Sequence, residues 1–234
     1  KDYVNNNLIF AEHQWKIVRI NGDGSIRIIY NGTCPNNSCT INNTGTPTQI
    51  GKSDFNPSSN FNKHVGFMYG NNNSPYEETH ANENSSTIKT YLETWYSDNI
   101  LSTENEKLIS DVVFCNDRTL HTGTGIISQN TNYMGWNRLD LNKNPILICT
   151  QKNDRFTVND TFLGNGALDY PIGLLTADEA AVAGLVRGVE NSTNYLYTNQ
   201  NFWLLSPARF STFTARQFYL SSKAQIDVFN GGAY

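Results

Sequence analysis

Charge is scarce in this sequence. Asp, Glu, Lys and Arg make up only 16% of its 234 residues, and the 17 basic against 21 acidic side chains leave a net charge of −4. With no basic surplus to neutralise a phosphate backbone, nucleic acid is not expected as a partner. Long apolar runs are missing too. None approaches the roughly 20 residues of a spanning helix, so this segment is not expected to insert into a membrane. No CxxC pair and no paired-His spacing is present, which argues against zinc. Asn21-Gly22-Asp23-Gly24 lacks the alternating oxygen ligands and distal Glu of a calcium loop. His121–Gly125 lacks the Lys and the strand–loop–helix setting of a phosphate site. Neither a metal nor a cofactor is expected. Lys1 is not expected to be a native start, so any signal or anchor is expected upstream and removed.

Polarity is carried instead by Asn, Ser, Thr and Gly. Aromatics reach 12%, with 12 Tyr and 12 Phe. Such rings fill a loop-rich core, and Tyr also suits a recognition surface because it adds contact area at low rotamer cost. The length allows a core that needs no staple. The four cysteines nevertheless read as two bridges, Cys34 with Cys39 and Cys115 with Cys149. The first pair closes a tight loop. Cys115 and Cys149 each end an apolar run, Val112–Phe114 and Ile146–Ile148, which reads as two neighbouring strand ends. Four cysteines allow three pairings, and disulfides point to an extracellular location.

Along the chain, Asn21–Gly24 between Trp15–Ile20 and Ser25–Tyr30 predicts a hairpin, because its central residues tolerate positive φ. Residues 31–63 read as a long polar loop. Ser85–Leu101 predicts a helix with a Ser N-cap and one apolar face of Ile88, Tyr91, Leu92, Trp95, Tyr96 and Ile100. Asp117-Arg118 reads as a pair that fixes loop geometry. Trp136-Asn137-Arg138 reads as a core Trp beside a loop Arg. Thr176-Ala-Asp-Glu179 is a capping box, with the helix continuing through Ala180–Val186.

The C-terminal stretch organises the rest. Phe202–Leu205 is apolar and Ser206-Pro207 follows. Ala215–Leu220 and Ala224–Phe229 alternate with period 2, as half-buried strands do. Arg209–Thr214, which follows Pro207 and precedes both, shows no regular period. This stretch reads as a rigid sheet presenting a binding surface.

Tyr170-Pro-Ile-Gly-Leu-Leu-Thr-Ala-Asp-Glu179 followed by Trp203-Leu-Leu-Ser-Pro207, together with Thr87–Tyr96 and Phe114–Arg118, resembles a family of surface proteins of gut Firmicutes. These have a C-type-lectin-like fold, some with pilin-like N-terminal segments. Trp-x-Leu-Ser-Pro also resembles the variable proteins of diversity-generating retroelements and the formylglycine-generating enzyme fold. The resemblance covers most of residues 8–234. In that family a Gly-Val-Arg-Pro-type strand usually follows a Tyr like Tyr234, and here the chain stops first. The resemblance implies an α+β domain, 1–234, of short antiparallel sheets braced by two helices and long loops. It also implies a diversified C-terminal region at about 202–234. The residue set reached by mutating template adenines includes Arg209, Ser211, Thr212, Phe213, Thr214, Arg216, Tyr219, Ser221, Asp227 and Phe229, the expected ligand-binding positions. Gln217, Lys223 and Gln225 fall outside that set and are assigned to the scaffold.

The function expected is non-catalytic recognition of a protein or glycan, outside the cell, on the cell surface or a pilus. The alternatives are a structural appendage subunit and a formylglycine-generating-type enzyme with Cys115 and Cys149 as its reactive pair. A calcium-dependent sugar lectin is disfavoured, since neither Glu-Pro-Asn nor Gln-Pro-Asp occurs.

Overall fold

The computed structural model describes residues 6–127, 129–211 and 213–232. Lys1, Thr212 and Tyr234, which carry expectations above, lie outside them. In chain order the strands and helices begin with β1 (Asn7–Phe10), β2 (His13–Ile20), β3 (Ile26–Thr33), β4 (Met68–Tyr69), α1 (Tyr76–Thr79), β5 (Asn84–Ser85) and α2 (Thr87–Asn99). They continue with β6 (Phe114–Cys115), β7 (Leu120–Thr122), β8 (Thr131–Tyr133), α3 (Met134–Trp136), β9 (Arg155–Phe156) and α4 (Ala177–Val182). The last three are β10 (Phe202–Ser211), β11 (Thr214–Leu220) and β12 (Ile226–Asn230). The architecture is α+β, with small antiparallel sheets and few helices.

The central sheet has five strands in the order β12-β11-β10-β8-β7. Successive side chains of a strand point to opposite faces. Leu204 accordingly joins one core with Phe218, Leu220, Ile226 and the small residues Ala177 and Ala180 of α4. Trp203 and Leu205 join a second core on the other face, with Phe55, Phe67 and Ile88 and Leu92 of α2. Both helices start as their sequences require. The Ser86 side chain accepts from the Lys89 amide at the head of α2. Thr176 and Glu179 form a reciprocal capping box on α4. That helix stops at Val182, short of the expected Val186. Residues Val186 and Val189 instead form an isolated bridge, and Gly184 adopts φ +95°.

β1-β2-β3 is a separate meander. Its β2–β3 turn is the one expected, closed by Asn21 N–H donating to Ser25 O at 2.8 Å. His13, Trp15, Tyr30 and Trp95 of α2 meet in pairwise edge or tilted contacts at 5.2–6.2 Å, fastening the meander to the helix.

Both bridges form as read, Cys34–Cys39 and Cys115–Cys149. The strand pairing expected around the second does not. Cys115 pairs with Arg155 of β9, not with the 146–148 run. Ile148 is 71% exposed, because the run flanks a surface loop in which Arg155 Nε reaches back to Cys149 O.

Buried ion pairs join the loops to the sheet. Asp117 and Arg118 are not partners of each other. Arg118 binds Asp154 through Nε and its own amide, each at 2.6 Å, and donates to Met68 O and Asn82 Oδ1. Asp117 contacts Arg138 at 2.7 Å, and Arg138 is also bidentate to Asp178. The expectation of a core Trp136 beside a loop Arg138 holds for Trp136, which packs against the core, and fails for Arg138. Arg138 is the buried residue, matched by two carboxylates, and Trp136 is half-buried. Burial alone would raise Glu179. Arg27 first, then the Thr176 amide and Arg19, outweigh it and hold Glu179 below 4.5.

His80 is buried and accepts from the Tyr133 hydroxyl at 2.9 Å through Nε2, with Nδ1 against Tyr76 O. Burial, then the Arg118 charge, push its pKa down from 6.5 to about 3. The folded pKa lies below the unfolded one, so the unfolded chain takes up this proton first. Stability from neutral His80 is therefore complete above 6.5 and is lost as pH falls toward 3. Urea titrations at pH 7 and pH 5 are expected to differ by about 2 kcal/mol, with wild type weaker at pH 5 and His80→Gln abolishing most of the difference.

Candidate recognition face

The C-terminal hairpin is longer than its sequence announces. Arg209–Ser211, with no visible period, completes β10. Irregular register around Pro207 re-aims the strand, as bulges do where Pro cannot donate to the ladder. Beyond that point Arg209 stands directly opposite Arg216, and Ser211 opposite Thr214. Arg209 also faces Asn132 of β8, and Arg216 faces Asn230 of β12. Directly opposed residues share a face. The result is one polar row, Asn132–Arg209–Arg216–Asn230, across four adjacent strands, roughly 14 Å long at about 4.8 Å per strand.

Trp136 backs the row. Its ring stacks on Phe218 with centroids 6.5 Å apart, and the Arg209 guanidinium lies 4.5 Å from its centroid. Arg187 also approaches Trp136, at 5.6 Å. Arg187 is matched by acids, in ion pairs with Asp227 at 3.1 Å and Asp140 at 3.4 Å. Arg209 and Arg216 are not matched. Both are half-buried, the Nε of each is buried without a partner, and neither forms an ion pair among the described residues. Burial, then the Arg216 and Arg187 charges, hold Arg209 below the ordinary arginine value, with Asp140 offsetting part. Like charges placed directly across a strand pair are destabilising.

The ten expected positions do not share one face. Arg209, Ser211, Thr214 and Arg216 belong to the row and its neighbouring rung. Phe213 sits at the hairpin tip, 66% exposed, with φ +59°. A bulky residue in that region is uncommon and marks a constrained tip. Tyr219 lies on the opposite face, where it contacts Trp203 and Phe229 at 6.4 and 6.0 Å. Strand alternation is the reason, since Tyr219 is an odd number of residues from Arg216. Ser221 lies in the β11–β12 turn, where its Oγ accepts from the Lys223 and Gln225 amides. Asp227 is held by Arg187. Of the positions assigned to the scaffold, Gln217 is fully buried.

Nothing in the sequence marked Asn132, Trp136, Arg187 and Asn230 as neighbours of Arg209 and Arg216. Only strand register brings them beside Arg209 and Arg216. A cross-strand Arg–Arg pair leaves no local signature.

No protein family matches this chain, no curated protein is similar to it, and no solved structure matches it. The two disulfides are consistent with a secreted, extracellular protein. Among the described residues no helix is long and apolar enough to cross a membrane.

Proposed function

We propose that the chain is a non-catalytic recognition domain of C-type-lectin-like type, displayed outside the cell on a surface or appendage. It binds its ligand on the row formed by Asn132, Arg209, Arg216 and Asn230. The observation that carries this reading is the unmatched Arg209–Arg216 pair in an acidic protein. An oxyanion on the ligand would neutralise both guanidiniums and relieve their repulsion. The two Asn amides offer donors and acceptors on either side. Phe213 adds an exposed ring at the tip, an anchor of the type that dominates interfaces. The lectin-like assignment is supported by the two capped helices packed on opposite faces of the terminal hairpin sheet. Diversification of this face is part of the proposal. A near-copy of the coding stretch for Arg209–Phe229, differing only at adenines, is expected beside the gene.

The test is retention on immobilised heparin and polygalacturonate, with neutral dextran as control. The net charge of −4 keeps non-specific retention low. Wild type is expected to be held by the acidic saccharides alone. The double variant Arg209→Glu/Arg216→Glu should lose at least about a hundredfold in affinity, while Lys107→Glu, an exposed lysine after α2, should not. Retention on dextran, or acid binding indifferent to the double variant, would sink the reading.

A further inference from the structure

A second site lies away from the row. The meander, α2 and the segment 171–175 line a partly open cavity of about 810 Å³. That is within the roughly 300–1,000 Å³ of small-molecule sites. Its walls are mostly apolar: Ile28 and Tyr30 from β3, Leu92 and Trp95 from α2, Ile172 and Leu174 from the third wall. Ile28, Ile172 and Leu174 are only half-buried although they face inward. Protein interiors close up around side chains. Apolar surface left open at this scale favours an apolar occupant over water.

The charges are one-sided. Among the described residues no carboxylate lines the cavity, in a chain with more acids than bases; the charged residues among them that line it are Lys16, Arg27 and Lys52. Two of these are engaged. Lys16 donates to Tyr195 O at 2.7 Å, and Arg27 binds Glu179 and Val113 O. Lys52 is exposed and has no partner among the described residues.

We infer that the cavity takes an aliphatic monocarboxylate of the fatty-acid class, its tail between β3 and α2 and its carboxylate beside Lys52. The walls exclude water from the tail, and the absence of acids removes repulsion of the head group. The Tyr30 hydroxyl has no hydrogen-bond partner among the described residues, so it can turn to the occupant. The site shares no residue with the Arg209–Arg216 row, so either can fail alone.

Calorimetry and tryptophan fluorescence with dodecanoate, dodecanol and dodecyltrimethylammonium test this. Dodecanoate is expected to bind at one per chain, to change tryptophan emission and to raise the melting temperature. Ile28→Trp and Ile172→Trp, which fill the cavity from two different walls, should each abolish binding while circular dichroism and melting show a folded protein. Lys52→Glu should weaken dodecanoate about fivefold and leave dodecanol unchanged. Arg209→Glu should leave both unchanged. No saturable binding of dodecanoate, binding that survives both filling variants, or the ammonium binding as tightly as the acid would each overturn the proposal.

Discussion

Asp154→Ala is expected to lower the unfolding free energy by about 3–5 kcal/mol, enough to unfold much of a protein of ordinary stability. Arg118 and Asp154 each have a side chain 1% exposed. Removing the carboxylate leaves a guanidinium in the interior with no counter-charge. Its remaining bonds run to neutral acceptors, Met68 O and Asn82 Oδ1, which do not offset the lost ion pair. The same residue anchors the loops, since its backbone oxygen accepts from Asn116 N–H at 2.9 Å. The double variant Arg118→Met/Asp154→Leu removes the charge with its partner and should cost less than Asp154→Ala. Equilibrium urea unfolding of both variants checks the ordering. An Asp154→Ala loss under about 1 kcal/mol would show that the guanidinium finds water, and that the pair does not hold the loops.

Opening the Cys115–Cys149 bridge is expected to cost about 4 kcal/mol by loop entropy, against about 2 kcal/mol for Cys34–Cys39. The separations, 34 and 5 residues, set the order. The longer loop contains β7, β8, Trp136 and Arg138, so its release also loosens one end of the polar row. Double Ser variants of each pair, compared by urea midpoints and by retention on heparin, should show the larger loss of both stability and binding for Cys115→Ser/Cys149→Ser. The reverse order in stability would mean that the 116–148 segment stays compact in the unfolded chain. Cys149 Sγ lies 3.6 Å from Asp154 O, so this change and Asp154→Ala will not add simply.

Local signals were legible wherever a backbone geometry demands a residue type. The Asn21–Gly24 turn, the Ser86 cap and the Thr176–Glu179 box all formed as read. Each is settled within a few residues, by positive φ or by an orphan amide that a side chain satisfies. Chain-distant pairings were less legible. The run Ile146–Ile148 looked like a strand and lies in a loop, because an apolar run alone does not say where it packs. Arg138 looked like a loop residue and is buried, because the acids that make burial tolerable, Asp117 and Asp178, are remote in sequence.

The candidate recognition face divides the same way. The sequence alone determined that the C-terminal stretch alternates as strands, that it carries Arg, Ser, Thr and Phe among apolar positions, and that four cysteines can close two loops. Only the tertiary structure decided which side each residue faces. A strand has period 2, so a shift of one residue moves every side chain to the opposite face. The irregular register at Pro207 makes that shift invisible in the sequence. It set Arg209 against Arg216, while alternation along β11 put Tyr219 on the far side of the sheet.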